Sequence, residues 1–238
     1  MIYENIVEGK FIARPNRFVA TVEINGKEEQ VHVKNTGRCK ELLLPGSTVY
    51  LEDFENRMGT RKMRYSMIGV EKKVSGGCIM INMDSQAPNK VVEEALNDGT
   101  ISLPEMGKLS RIKRESNFGN SRFDFYLEDI SGQKAYVEVK GVTLEDDGLA
   151  RFPDAPTQRG VKHINELVKA REAGYKAYLL FLVQMNNIEY VLPNWVTHPG
   201  FGEAIEAAME KGLNVVAYNC IVERDMLKAN EPILFKLR

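Results

Sequence analysis

The 238-residue chain has few cysteines, and Cys39, Cys78 and Cys220 are widely separated with no Cys-x-x-Cys pair. This spacing supports neither a disulfide framework nor a zinc ribbon, and it predicts free thiols in a reducing compartment. No run approaches the roughly 20 apolar residues of a membrane-spanning helix. The amino-terminal segment carries Glu4 and Glu8 and lacks the apolar core of a secretory signal. We therefore expect a cytoplasmic protein with no membrane partner.

An excess of charge of one sign is also missing, because 32 Lys and Arg stand against 33 Asp and Glu, for a formal net charge of −1. A globally basic nucleic-acid binder is therefore not indicated, and any basic surface must be local. Hydrophobic residues make up 43% and charged residues 27%, the balance of an ordinary globular protein. No internal repeat or low-complexity tract is present, which excludes fibrous and wholly disordered classes.

Strand and turn patterns dominate roughly the first 80 residues. Asn25-Gly26 is a strong hairpin signal, and Pro45-Gly46 marks a second turn. Short strands are predicted at residues 18–24, 30–33, 48–52, 63–70 and 78–83. Strands of this number and length, with few helical windows, favour a small barrel or sandwich. An OB-like barrel is one candidate among several, because the pattern alone does not separate small barrels.

Beyond residue 84 the hydrophobic period changes to an alternation of helices and strands, which indicates an α/β layer. Helices are predicted at residues 88–97, 157–173 and 201–211, with Gly99, Gly174 and Gly212 as stop signals. Strands are predicted at 123–127, 135–139, 178–183 and 213–222, the last being taken as the final strand. The continuous apolar run 178–183 is typical of a central buried strand. We place a domain boundary near residues 82–87.

Two predicted neighbouring strands carry acidic side chains that alternation would bring together. Glu138 and Lys140 share one face of residues 136–140, and Asp124 lies on one face of residues 122–127. The opposite face of that earlier strand is predicted to carry Phe123, Phe125 and Leu127. If the strands pair, Asp124 lies beside Glu138 and Lys140 while the apolar faces fill the core.

Two adjacent carboxylates repel each other, and a bound divalent cation removes that cost. Mg²⁺ prefers carboxylates, waters and phosphate oxygens, and a nearby ammonium can orient water or neutralise charge on a phosphate. An Asp followed by Glu-x-Lys on the next strand is the residue set of the PD-(D/E)xK nucleases. Taken alone, a hydrophobic strand that carries Glu-Val-Lys is more often an exposed cross-strand ion pair than a metal site.

Other candidates each have a plain alternative. Glu94 lies on the predicted helix before the Asp124 strand. It could be an extra acid of the site, or a solvated helix residue. Gln184 follows the predicted buried strand 178–183. It could reach the edge of the active site, or it could simply cap the strand. Arg159 and His163 lie four apart on one helix face and could contact phosphate, or simply face solvent. Asp154 precedes this helix and is expected to cap it rather than bind metal.

Local basic windows flank both regions. Residues 108–122 carry five basic side chains, with Glu115 as the only acid. Residues 57–64 carry four more beside Tyr65, which suits either nucleic-acid contacts or a basic hairpin loop. The candidate nucleic-acid-binding residues are Arg17, Arg61, Arg64, Arg114, Arg122, Arg159, Lys162 and His163.

Short matches running nearly end to end resemble the sugar fermentation stimulation protein A (SfsA) family. They comprise Arg17-Phe18, Asn35-Thr36-Gly37, Leu44-Pro45-Gly46, NKVVEEAL (89–96), SRFDFYL (121–127), YVEVKGVTL (136–144), Phe152-Pro153-Asp154-Ala155 and RGVKHINEL (159–167). The family's usual Cys-Pro before Asn-Thr-Gly is Val33-Lys34 here, which weakens a role for a thiol at that place. Gln158 stands where the family has Glu, which argues against a metal ligand at that position.

The resemblance implies an α+β chain of two domains. These are an OB-fold-like nucleic-acid-binding β-barrel over residues 1–83 and a PD-(D/E)xK, restriction-endonuclease-like domain over residues 84–238. It implies DNA binding without sequence preference, with RNA not excluded, and a link to sugar (maltose) metabolism. Asp124, Glu138, Lys140 and Glu94 match the nuclease positions, with Asp124 and Glu138 as ligands of Mg²⁺ or Mn²⁺. Two functions stay open: a metal-dependent nuclease, or a catalytically silent DNA-binding regulator.

Overall fold

The computed structural model describes residues 1–35 and 37–238, so Thr36 of the Asn35-Thr36-Gly37 match lies outside the described residues. The first sheet has six strands. They are β1 (Ile6–Asn16), β2 (Val19–Ile24), β3 (Lys27–Val33), β4 (Thr48–Asp53), β5 (Tyr65–Val74) and β6 (Gly77–Asn82). Asn25 and Gly26 both have positive φ in the turn between β2 and β3, which confirms the predicted hairpin.

The first five strands close into a barrel. The order is β3-β2-β1-β4-β5, and a parallel pairing of β3 with β5 joins the two ends. The other neighbouring pairs are antiparallel, and β6 extends the sheet beyond β5. This five-stranded closure is the topology of an OB-fold, so the more specific of the barrel predictions is confirmed.

The second sheet has nine strands in the order β10-β11-β13-β15-β14-β12-β9-β8-β7. They are β7 (Leu109–Phe118), β8 (Ser121–Asp129), β9 (Lys134–Val142), β10 (Leu144–Asp146), β11 (Leu149–Phe152), β12 (Lys176–Val183), β13 (Tyr190–Pro193), β14 (Asn214–Val222) and β15 (Leu227–Phe235). The central strands β9, β12 and β14 are parallel, and β8 runs antiparallel to β9. The strand predicted at residues 213–222 is confirmed as β14, but the prediction that it is the last strand is wrong, because β15 follows it.

Three α-helices cover the two faces of this sheet: α1 (Ala87–Asp98), α2 (Gln158–Glu172) and α3 (Pro199–Glu210). The apolar side of α1 packs with Val137 and Val139 of β9, whereas α2 and α3 share the opposite cluster with Tyr136. Gly99 follows α1 with positive φ, as its stop signal predicted. None of these helices, within the described part of the chain, has the length and apolar character needed to cross a membrane.

The two sheets share both hydrophobic clusters. One cluster joins barrel residues such as Phe11 and Val22 to Ile164 of α2, and the other joins Tyr50 and Ile68 to α1. The first residues of the chain also contact the second sheet, since Ile2 forms a bridge with Met226 beside β15. The molecule is therefore an α+β pair of domains joined by two apolar clusters, each of which contains residues of both domains.

Candidate active site

Asp124 lies where the ladder between β8 and β9 ends. Phe125 and Val137 are the last paired residues, so the next position along β8 brings Asp124 opposite Glu138. The Asp124 carboxylate replaces the next ladder bond, because its Oδ2 accepts the backbone N–H of Val139 at 2.8 Å. Its Oδ1 accepts a hydrogen bond from Asn89 Nδ2 of α1 at 2.7 Å. The carboxylate is thus fixed on both sides at the junction of a helix and two strands.

The side-chain alternation of β8 is interrupted at this point. Phe125 and Leu127 pack in the cluster under α1, as expected. Phe123, however, lies against Tyr136, with ring centroids 5.4 Å apart, and against His163 at 6.5 Å, on the α2 side. The prediction that all three apolar residues share one face is therefore wrong. The strand departs from strict alternation where the Asp124 side chain replaces a backbone hydrogen bond.

Glu138 is 3% exposed and has two differently bonded oxygens. Its Oε1 accepts from Lys140 Nζ at 2.5 Å and from His163 Nδ1. Its Oε2 is buried and has no hydrogen-bond partner among the residues that the structure describes. Burial opposes ionisation of Glu138, but the hydrogen bond from His163 and the charge of Lys140 outweigh it and lower the pKa. Glu138 therefore stays ionised with one acceptor oxygen unused.

The pKa of Asp124 is shifted in the opposite direction. Burial raises it, and the negative charge of Glu138 raises it further, although the bonds from Val139 and Asn89 act against this. Catalytic and metal-binding sites often contain two acids whose pKa values are shifted in opposite directions. Close carboxylates of this kind favour a cation between them, because the cation removes their repulsion.

His163 was expected either to contact phosphate or to face solvent, but the structure places it against Glu138, with 8% of its surface exposed. Arg159 Nε, which can only donate, lies 3.4 Å from His163 Nε2. Nε2 is therefore the acceptor, and the ring proton resides on Nδ1, where it is donated to Glu138 Oε1. His163 orients the carboxylate in the way that outer-shell partners orient metal ligands.

These side chains line an open recess of about 300 Å³. Asp124, Glu138 and Lys140 form its floor with backbone of β9, and Arg159 and His163 of α2 border it. Among the described residues, no group of three or more His, Cys, Asp or Glu is placed to hold a metal ion. The donor set is therefore two carboxylates, which suits a hard cation such as Mg²⁺ that keeps several waters. The unpartnered Oε2 of Glu138 fits that requirement.

Glu94 is not brought to this recess. Its carboxylate lies 2.6 Å from the Met1 ammonium and is half exposed, on a different side of α1 from Asn89. The expectation that Glu94 assists the metal is therefore wrong. Asn89 takes the place beside Asp124 instead. An amide at the start of a helix is a weak sequence signal, so it was missed.

The basic candidates fall into two groups. The exposed residues at or near the recess are Arg159 and Lys162 on α2. The remaining arginines are distributed over the surface and mostly have partners: Arg17 with Phe18, Arg61 with Ser66 and Phe54, Arg64 with Asp53 and Glu55, Arg114 with Glu93, and Arg122 with Glu115. Pairing with acids lowers the net positive charge of both basic windows.

Gln184 and Asp154 lie in a neighbouring recess rather than beside the carboxylates. Gln184 is buried, and its Nε2 donates to Asn82 and to the backbone oxygen of Asp84. Asp154 accepts a hydrogen bond from the backbone of Arg38 at 3.3 Å. The expected capping role of Asp154 is wrong, because Thr157 is the N-cap of α2 and accepts from Gly160.

An OB barrel joined to a mixed sheet that carries Asp, Glu-x-Lys on adjacent strands defines a two-domain protein with a restriction-endonuclease-like second domain. Two family models match in the corresponding places. The "SfsA N-terminal OB domain" covers residues 12–81, and the "Sugar fermentation stimulation protein RE domain" covers residues 86–226. The chain belongs to the sugar fermentation stimulation protein (SfsA) family.

Similar proteins extend over the whole chain. A sugar fermentation stimulation protein homolog from Desulfitobacterium hafniense is 53% identical, covering 100% of this chain and 99% of that protein. A homolog from Clostridium beijerinckii is 49% identical over 98% of both chains. The solved structure of Pyrococcus furiosus SfsA in complex with Ca²⁺ superposes with a TM-score of 0.85 at 28% identity, covering 100% of this chain and 98% of that one.

Proposed function

We propose that this protein binds nucleic acid and hydrolyses phosphodiester bonds at Asp124, Glu138 and Lys140 with a divalent cation. The observation that carries the proposal is the buried Oε2 of Glu138, which has no partner among the described residues and lies beside the half-buried carboxylate of Asp124. A buried charged oxygen left unbonded is costly, so it is retained where a ligand supplies the missing partner.

Asp124 and Glu138 are the residues that would hold the cation, Mg²⁺ or Mn²⁺ in our proposal. The Ca²⁺ in the Pyrococcus furiosus relative supports a divalent ion in this fold. A bound divalent ion would acidify a coordinated water and neutralise charge developing on the phosphate. The two carboxylates are oriented for this by neutral or cationic donors: Asn89 and backbone on Asp124, and His163 on Glu138.

The remaining steps use the chain's own groups. Lys140 is the ammonium of the recess and stabilises negative charge on the phosphate oxygens as water attacks phosphorus. The attacking water gives up a proton to solvent as its oxygen bonds to phosphorus. The bond from phosphorus to the leaving oxygen breaks, and that oxygen takes up a proton from solvent to leave as a hydroxyl. Arg159 is exposed at the border of the recess, where it binds a phosphate of the same strand.

The barrel and the exposed basic residues supply affinity for the backbone of the nucleic acid. Many of the arginines are paired with acids, so this affinity is expected to be moderate. It should weaken as the salt concentration rises, because it comes from phosphate contacts. DNA without sequence preference is the proposed partner, and RNA is the alternative that the same phosphate contacts would accept.

Cleavage is tested with plasmid and labelled DNA and RNA oligonucleotides in Mg²⁺, in Mn²⁺ and in chelator. We expect products only with metal, and none from Asp124→Ala or Glu138→Gln. The matched control is Glu94→Gln, an acid of similar type outside the recess, which should cut like the parent. Equal cutting by Asp124→Ala, or no cutting of any substrate, would contradict the enzymatic proposal.

A DNA-binding regulator without turnover, acting on sugar metabolism genes, is the second candidate. This candidate is favoured by the small number of possible metal ligands, since no group of three or more His, Cys, Asp or Glu among the described residues is placed to hold a metal ion. Calorimetric titration with Mn²⁺ separates the two candidates. The nuclease requires binding that disappears in Glu138→Gln, whereas the silent regulator binds DNA and gains little from metal.

A further inference from the structure

A second recess, of about 330 Å³, adjoins the site of the two carboxylates. The two recesses share Ser85, Pro88, Gly141 and Thr157, so they form one continuous depression. The barrel contributes Asn35 and Gly37 to the second recess, and the second domain contributes residues 152–157. Two sequence matches that the cleavage mechanism does not use therefore meet directly beside it.

The lining of the second recess differs from that of the first. It contains no Lys, Arg or His among the described residues, and Asp154 is its one acid. Its other polar groups are the amides of Asn35 and Gln184 and the hydroxyls of Ser85, Thr143 and Thr157. Phe152, Ala155 and several prolines complete it. A phosphate would be repelled here, whereas a flat, neutral, hydrogen-bonding group fits.

Both amides are held in place. Gln184 is 1% exposed, and its Nε2 is used by Asn82 and Asp84, so Oε1 is the group left for a ligand. This oxygen lies against Gly141, where an added Cβ would come within 2.4 Å of it. Asn35 Oδ1 accepts the N–H of Gly37 at 2.7 Å, which leaves its amide nitrogen as a donor.

The barrel wall of the recess is also fixed. The Arg14 guanidinium donates to the backbone oxygens of Asn35, Gly37 and Arg38 at 2.6–3.0 Å. Asp154 then joins this loop to the second domain through the N–H of Arg38. A recess whose amides and walls are held by several hydrogen bonds is preorganised for a ligand.

We propose that this interdomain recess binds the base of one unpaired nucleotide next to the phosphate that is cleaved. The inference rests on the proposed function, and it deepens it by assigning single-stranded or locally opened nucleic acid as the substrate class. A base inside a duplex is stacked and paired, so it reaches such a recess only after leaving the helix. Amide and hydroxyl groups are the partners that proteins use for the edges of unpaired bases.

The test compares three labelled probes in binding assays with Ca²⁺ and with chelator, read by fluorescence anisotropy. They are a single strand of about 20 nucleotides, an abasic strand of the same length and charge, and the corresponding duplex. We expect the single strand to bind about tenfold more tightly than the abasic strand, because a bound base adds contacts that phosphates do not. The duplex should gain nothing beyond its phosphate charge.

Thr143→Tyr, which fills the second recess without changing the carboxylates, should reduce single-strand affinity to that of the abasic probe. Ser75→Tyr is the matched control, because it also replaces a small hydroxyl side chain by tyrosine but at an exposed turn between β5 and β6. This variant should bind the single strand like the parent. Thermal unfolding of each variant verifies that it is folded. Equal affinity of the parent for the base-containing and abasic strands would overturn the inference on its own, with no variant needed.

The outcomes also separate this inference from the proposed function. Metal-dependent cleavage that is as fast on duplex as on single strands, with no effect of Thr143→Tyr, would retain the nuclease and overturn the base site. Absence of binding to any of the probes would overturn both.

Discussion

At the scale of single residues, the two oxygens of Glu138 have unequal surroundings. One accepts from a lysine and a histidine, and the other has no partner although it is buried. The first oxygen fixes the position of the carboxylate, and the second remains available to a ligand. Because His163 bonds only the oxygen that fixes the carboxylate, it is a positioning residue for the proposed metal site.

Replacing His163 tests that role. His163→Ala removes the donor to Glu138, so Mn²⁺ affinity measured by calorimetry should fall about 10- to 100-fold. His163→Gln offers an amide donor and should recover part of the loss. Lys162→Ala, the exposed neighbour on the same helix, is the control and should leave affinity unchanged. A merely structural role would lower thermal stability without this graded change in metal binding.

At the scale of elements, α1 shows how helix geometry selects one polar residue over another. Asn89 lies in its first turn and donates to Asp124, whereas Glu94 lies five positions later and pairs with Met1. Five steps of an α-helix turn the side chain by about 140° from the starting direction. The acidic residue that resembles a catalytic acid is thus directed away from the recess.

Asn89→Ala is therefore expected to reduce cleavage about tenfold, by removing a donor that holds Asp124 ionised and oriented. Glu94→Gln should have little effect on cleavage. Rates are measured on one oligonucleotide with saturating Mn²⁺. The reverse ranking of the two variants would contradict the placement of α1.

The turn between β8 and β9 depends on Asp129. Its carboxylate accepts from Ser131, Gln133 and Gly107, and the hydrogen bonds from Ser131 contribute most to lowering its pKa to about 2. The unfolded value is about 3.9, so the ionised form is favoured by folding. The resulting stabilisation is complete above the unfolded pKa and is lost as the pH falls through the folded one.

Asp129→Asn should accordingly lower the melting temperature at pH 7, and the difference from the parent should shrink between about pH 4 and pH 2. Thermal unfolding followed by circular dichroism over this range provides the measurement. A difference that stays constant down to the lowest pH would show that the charge is not the cause.

Some strands were predicted from the sequence, and others were not. β2 and β12 were predicted because their sequence patterns are regular: the side chains of β2 alternate between the two faces, and β12 is a continuous apolar run. β7 was read only as a basic window, since it is an edge strand with mostly exposed side chains. β15 contains Pro232 and exposed charges, which conceal its strand character.

The same limit applies to the site. Asp124, Glu138 and Lys140 follow from alternation on two neighbouring strands, so a local pattern predicts them. The contact of His163 with Glu138 depends on how α2 packs on β9, and the interruption at Phe123 depends on a side chain replacing a ladder bond. Neither is encoded in a local period.

At the scale of the whole molecule, a buried ion pair links the barrel to the second domain. Lys72 of β5 donates to the Glu145 carboxylate and to its backbone oxygen, and Glu145 is almost fully buried. Such a pair contributes little net stability when complete, but leaving one member alone is expensive.

Lys72→Met should therefore lower the free energy of unfolding by roughly 3 kcal/mol, because it leaves the Glu145 charge buried without its partner. The double variant with Glu145→Gln should be more stable than Lys72→Met alone. Lys73→Met, at the exposed neighbouring position, is the control. Urea titration measures the parent, Lys72→Met, Glu145→Gln, the double variant and Lys73→Met. Simple additivity of the two single changes in the double variant would contradict the coupling.

The apolar clusters that cross from the barrel into the second domain have a consequence for truncation. A protease cut between Asn82 and Ala87 that separates the two domains would expose the apolar side of each one. A premature stop there would leave the barrel without the domain that covers its apolar side. Fragments of this kind aggregate or are degraded rather than persist. Proteolysis between the two domains is therefore not expected to release a second domain that works on its own.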